Sequence, residues 1–273
     1  VSPGSLHRSL PSAVAGAAVR DPAGPEGGPA GGAAVQAAAE ARTTPSGGRT
    51  VVVVLSDIHA SSRLWGYGRF VFGRGLLRRQ PGVRFAKILG SGFDGGFGLK
   101  PSGSRQGLLC LFEEAAQASA FLDASPLVQA YRDHAREYLE VRLRPFSCRG
   151  SWDGVRFEPD VSPPTHGPIA GLTRASIRPS LARQFWSKAP PAERSLADAH
   201  GCLLAAGLGE APLLRQATFT VWDSIASMDG YARTGAHMDA IRASREGDYF
   251  SESMFVRFVP EGLRGTWKGR TYA

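Results

Sequence analysis

The sequence predicts an α+β fold made of two fused ferredoxin-like repeats, which together form a dimeric-α+β-barrel-type domain behind a disordered N-terminal tail. Three observations predict it. RGSWDG (149–154) and RGTWKG (264–269) share four of six positions and each closes one half of the chain. GSG (90–92) and GLG (207–209) sit at equivalent places, and Phe112 with Phe121 keeps the nine-residue spacing of Trp222 with Tyr231. Each half reads β-α-β-β-α-β, whose sheet has one bare face, and two such sheets bury those faces against each other.

The elements follow in order. Residues 1–49 are rich in Ala, Gly, Pro and Ser and offer too little apolar surface to offset ordering, so they read as a disordered tail. A signal peptide in that stretch would lack a Leu-rich core. The first repeat spans 50–160 and the second 161–273, as one folded unit. RTVVVVLSDI (49–58) reads as a buried strand, followed by a helix over about 62–79 that ends at Pro81-Gly82. Strands follow at 83–92 and 107–112, helices at about 113–123 and 126–138, and a strand at 138–145. The second repeat gives strands at 168–177, 202–210, 216–222 and 252–259, with helices beginning at 180 and covering about 224–233 and 236–245.

Composition narrows the function classes. Hydrophobic residues make up 42% and charged residues 21%, as in an ordinary globular protein. The longest strongly apolar run, Val51–Leu55, is far short of a membrane span, so any membrane contact is peripheral. The net charge of +8 comes mostly from arginines scattered singly, with no aromatic-interleaved stripe, which argues against nucleic acid. Cys110, Cys148 and Cys202 form no CxxC pair, which points to free thiols in a reducing, cytoplasmic setting.

Candidate site residues come from places where the repeat breaks. His237 falls opposite Leu127 and shares a helical face with Ala240, Ile241 and Ser244. A neutral imidazole there can ligate heme iron or another metal, or it can be a core histidine satisfied by a carbonyl. His59 is its rival, while His134 reads as lying on a solvated face. Arg174 and Arg178 alternate along and just after a strand, which places both on one face, suited to pairing with carboxylates. No HExxH, GxSxG or P-loop is present.

A set of segments resembles the spheroidene monooxygenase family: RLWGYGRF (63–70), KILGSG (87–92), RGSW (149–152), GPIAGLTRASIRP (167–179), QFW (184–186), GLGEAP (207–212), TFTVW (218–222), HMDAIRA (237–243), YFSESMFVRF (249–258) and GTWKGR (265–270). The likeness runs from residue 50 to 271. It departs from the family pattern at Ala205-Ala206, where that pattern has Lys-Ile, and at Gln184, where it has Arg.

The resemblance implies a heme-dependent oxidoreductase that inserts oxygen from O2 into a long hydrophobic, carotenoid-like substrate, with electrons from a donor such as ferredoxin. Heme proteins on fused α+β barrels take their axial histidine from the C-terminal half, which fits His237. On this reading Arg174 and Arg178 pair with heme propionates, and Trp186 and Trp222 line an apolar cavity. Two rival expectations remain, a heme enzyme of secondary metabolism that dehydrates or rearranges its substrate, and a cofactor-free barrel that binds ligands.

Overall fold

The structure is a computed structural model that describes residues 48–96, 100–187, 196, 199–211, 214–233 and 247–273. Nearly all of the expected tail and the expected helix at 236–245 therefore lie outside the described residues.

Strand β1 (Thr50–Ile58) is buried at every position, because its valines serve two apolar layers at once. The helix expected over 62–79 is two helices, α1 (Arg63–Phe72) and α2 (Arg74–Arg78). The break is at Gly73, where a Cβ would lie 2.4 Å from the Arg69 carbonyl oxygen. β2 (Val83–Gly92) and β3 (Pro101–Phe112) follow, the latter longer than expected. Next come α3 (Ala115–Ala124) and α4 (Pro126–His134), whose N-terminus is capped by the Ser125 hydroxyl accepting from the Leu127 N–H.

β4 (Ala135–Gly150) begins where a helix was expected to continue to 138. The alternation of Leu139, Val141 and Leu143 into the core favours an extended chain from the outset. The second repeat contributes β5 (Ile169–Ile177), a helical segment at 182–187, β6 (Cys202–Ala211) and β7 (Arg215–Trp222). It ends with α5 (Ile225–Ala232), β8 (Phe250–Trp267) and β9 (Arg270–Tyr272).

The strands form one antiparallel sheet in the order β4-β1-β3-β2-β6-β7-β5-β8, closed by β4–β8 pairing, with β9 on the far end of β8. Each half has the ferredoxin-like order, so the fold class read from the sequence is what the chain adopts. The two seams between halves differ. β4 and β8 pair from Leu139↔Gly265 to Gly150↔Met254, whereas β2 and β6 meet only at Gly90↔Gly209 and Ser91↔Leu208. Inside the barrel Val53, Leu109, Leu172, Phe219, Val256 and Phe258 pack into one core. Outside it, helices cover each half's sheet with a separate apolar layer.

Candidate functional site

The strand registers make the two helix-facing surfaces comparable residue by residue. Val52↔Cys110 and Val54↔Leu108 of the first half correspond to Gly171↔Thr220 and Thr173↔Thr218 of the second. Ile88, which also pairs with Leu108, corresponds to Gly207. In the first half Val52, Val54, Ile88 and Leu108 are buried under Phe121 and Leu122 of α3 and Leu127, Val128 and Tyr131 of α4. In the second half the same places carry glycine or threonine, with Thr173 exposed and Thr218 half-buried. At these places the second half's helix-facing surface carries the small residues Gly171, Thr173, Gly207 and Thr218 where the first half has branched aliphatic side chains.

Apolar side chains pack around them. A Cβ on Gly171 would meet the Met228 sulfur at 3.3 Å and the Phe255 ring at 3.9 Å. Trp222 is buried with its ring centroid 5.3 Å from that of Tyr231, and its indole N–H donates to Thr220 Oγ1 at 2.9 Å. Arg257 donates to Asp229 at 2.5 Å and lies over the Phe255 ring.

Among the residues read from the sequence, Trp222 is buried in the second half's helix-covered apolar layer. Trp186 is half-buried and stands edge-on to Phe185, which packs against Tyr249 and Phe250. His237 lies outside the described residues. Arg174 and Arg178 do not share a face. The register shifts between Ser176 and Ile177, where the strand ends, so the alternation does not carry through to Arg178. Arg178 is an exposed residue paired with Asp248 at 3.0 Å, while Arg174 is enclosed inside the barrel. Of the other histidines, His59 is exposed, and His134 stacks on Trp65 at 4.2 Å instead of facing solvent.

Arg174 belongs to a buried charge cluster that the sequence reading missed. It donates to Glu252 at 2.5 Å and lies 3.6 Å from Glu210 and 3.9 Å from Asp153. Lys87, 1% exposed, bonds Asp153 at 2.5 Å and also Glu210. Both cations face the Trp152 ring, whose N–H donates to Glu210 at 2.9 Å. Burial pushes the Glu252 carboxyl upward, but the Gly154 N–H, the Ser151 hydroxyl, the Asp153 N–H and Arg174 outweigh it and hold it below the usual carboxylate range. Asp153 is depressed likewise, its burial outweighed by the Lys87 hydrogen bond and charge. Each of the three carboxylates is engaged by Lys87 or Arg174, so the cluster offers no free base. The signal in the sequence was a lysine inside the apolar run of β2, opposite Leu109.

Among the described residues no group of three or more His, Cys, Asp or Glu could hold a metal ion, and none of the helices is long and apolar enough to cross a membrane.

Comparison with known proteins decides the family. The chain is 59% identical to a spheroidene monooxygenase of Rubrivivax gelatinosus over 84% of its own length and 89% of the relative's. It belongs to the spheroidene monooxygenase family. A spheroidene monooxygenase of Rhodobacter capsulatus is 36% identical over 77% of this chain and 89% of its own. Membership makes the protein an enzyme, an oxidoreductase of the monooxygenase type. No family model matches the sequence. Among solved structures, an anthrone oxidase-like protein aligns over 82% of this chain and 96% of its own at 10% identity and a TM-score of 0.28, too slight a likeness to argue from.

Proposed function

We propose that this member of the spheroidene monooxygenase family is a heme-dependent monooxygenase that inserts oxygen from O2 into a long hydrophobic, carotenoid-like substrate to give a hydroxy or keto product. The observation that carries the reading is the loss of bulk on the second half's helix-facing surface, where Val52, Ile88 and Leu108 of the first half give way to Gly171, Gly207 and Thr218. The two layers are equivalent by register, so packing alone gives no reason for one of them to lose bulk at these positions.

A planar cofactor fits that layer in two respects. Gly171, Gly207 and Thr218 put no branched aliphatic side chain on this surface, and Trp222, Met228 and Phe255 supply apolar contacts beside it. The repeat sets residue 237 opposite Leu127, which in the first half is buried against the equivalent surface. That supports His237 as the iron ligand on this reading. In one respect the fit fails: Arg174 is committed to the chain's own carboxylates and does not hold a propionate.

Bound heme would supply the oxygen-activating chemistry, while the protein binds and orients the substrate and keeps water out. On this proposal the substrate is one without charged groups, since among the described residues beside this surface Arg257 and Asp229 satisfy each other. The electron donor, on this proposal, is an external protein such as ferredoxin. Three free cysteines accord with a cytoplasmic setting.

The test is to restore the first half's own side chains on this surface. The Gly207→Ile/Thr218→Leu double variant is expected to fold with an unchanged melting curve and to lose the heme absorbance of protein expressed with heme supplied. A variant retaining the full spectrum would remove heme from this surface. A colourless wild-type protein would favour the cofactor-free barrel instead.

A further inference from the structure

Helices α1 and α2 are apolar on both sides. Their inward side is accounted for, since Trp65 and Phe70 pack on the first half's outer layer and Leu77 is fully buried there. Their outward side is not. Leu64 is 89% exposed, Tyr67 68%, Val71 46%, Phe72 80% and Leu76 44%. Among the described residues the remaining exposed large apolar side chain is Phe93. Positions 64, 67 and 71 lie one above another on α1, and Phe72 at its end and Leu76 on α2 follow directly across Gly73, so the side chains form a stripe and not scattered points. Gly68 adds no side chain beside them.

The same segment is strongly cationic. Between Ile58 and Phe93 there is no Asp or Glu, against Arg63, Arg69, Arg74, Arg78, Arg79, Arg84 and Lys87. Lys87 is inside the barrel, Arg84 pairs with Glu113, Arg74 lies near Asp153, and Arg69 lies over the Trp65 ring. Arg63, Arg78 and Arg79 are exposed. No ion pair engages those three among the described residues.

We infer that this face, Leu64, Tyr67, Val71, Phe72 and Leu76 flanked by Arg63, Arg78 and Arg79, rests on an anionic lipid surface. A contiguous apolar stripe left in water is costly, and a soluble protein keeps one where something covers it. The arginines require that cover to be negative. A second copy packed on the same face would set these arginines against their own equivalents, which charge repulsion opposes. The side chains also stand out from the helices and do not line a groove, which suits a fluid headgroup and acyl boundary closing around each one. At ten residues, α1 can lie in the plane of the interface but cannot span it. The inference does not depend on what the helix-facing surface of the second half binds.

Co-sedimentation of the full chain with vesicles tests it. Wild-type protein is expected to pellet with phosphatidylglycerol-containing vesicles, to release at high salt, and to remain in solution with pure phosphatidylcholine. Neutralising one arginine, as in Arg78→Gln, is expected to weaken binding about fivefold. Leu64→Ser/Phe72→Ser is expected to weaken it at least roughly tenfold while leaving the melting curve unchanged, because both side chains are already exposed. Failure of wild type to pellet with anionic vesicles, or equal binding by the double variant, would overturn the inference. So would a wild-type dimer on gel filtration that the double variant turns into monomer, since that assigns the stripe to self-association.

Discussion

Glu137 and Glu252 do the same work at opposite ends of the barrel. Glu252 accepts the backbone N–H groups of Asp153 and Gly154 at 3.1 and 3.0 Å, and Glu137 accepts those of Lys268 and Gly269 at 3.1 and 2.7 Å. Both turns need two successive left-handed residues, with φ of 50° and 76° at Asp153-Gly154 and 51° and 74° at Lys268-Gly269. That geometry points adjacent N–H groups at one carboxylate. The repeated SWDG and TWKG motifs are therefore the sequence trace of a glutamate-bound turn.

The two glutamates differ in what else they hold. Glu252 also takes Arg174 and the Ser151 hydroxyl. Glu252→Ala is expected to cost about 3 kcal/mol in urea unfolding, because it strands a buried guanidinium. Glu137→Ala is expected to cost about 1 kcal/mol, the value of hydrogen bonds near the surface. Equal losses would show that the interior cluster adds nothing to the turn.

Lys87 touches both Asp153 and Glu210, and its equivalent in the second half is Ala206. Lys87→Met is expected to lose about 3 kcal/mol by taking the ammonium away from the largely enclosed Glu210 carboxylate. Adding Glu210→Gln should recover part of that loss, so a double-mutant cycle should return a coupling of about 1 kcal/mol or more. Additive effects would mean that the two side chains are independently solvated.

What was legible in the sequence were features that local geometry repeats. Phe112 and Phe121 stand 5.3 Å apart between ring centroids, and so do Trp222 and Tyr231, because a strand end and the helix after it fix both partners within nine residues. The charge cluster was not legible. Lys87 and Glu210 are 123 residues apart and meet only because the barrel closes. Arg174 and Arg178 were misjudged for a local reason, since strand periodicity was carried one residue beyond the irregularity at Ser176 and Ile177. The loss of bulk at Gly171 and Gly207 was visible only once the strand registers showed which first-half residues they replace.

Asp57 gives a dependence on acid. Its side chain is fully enclosed, which pushes its carboxyl upward, but donors from Arg136, Ser104 and Arg105 outweigh burial and hold it below its ordinary value of 3.8. A carboxyl depressed in the folded state contributes stability that is complete above its unfolded value and is lost as pH falls through its folded value. Asp153 and Glu252 act in the same direction. Urea midpoints are therefore expected to hold steady from neutral pH down to about 5 and to fall below about 4. Asp57→Asn should be less stable than wild type at pH 7, with the gap narrowing toward pH 3. A gap that widens in acid would reverse the sign assigned to Asp57.

Arg174 and Arg178 separate a stabilising role from a cofactor-binding one. The Arg178–Asp248 pair is 44% and 78% exposed at its two side chains, so Arg178→Ala should change stability by no more than about 0.5 kcal/mol. Arg174 is 1% exposed, and its equivalent in the first half, by register, is Leu55. Arg174→Leu is thus shape-tolerable, but it removes the cation between Glu210 and Glu252 and is expected to cost about 3 kcal/mol. Because Arg174 faces the barrel interior and Gly171 and Thr173 lie on the opposite surface of the same strand, the proposed heme binding predicts that any heme absorbance of folded Arg174→Leu matches that of wild type. A variant with wild-type stability and an altered heme spectrum would return Arg174 to the propionates and would move the cofactor from the helix-facing surface to the inside of the barrel.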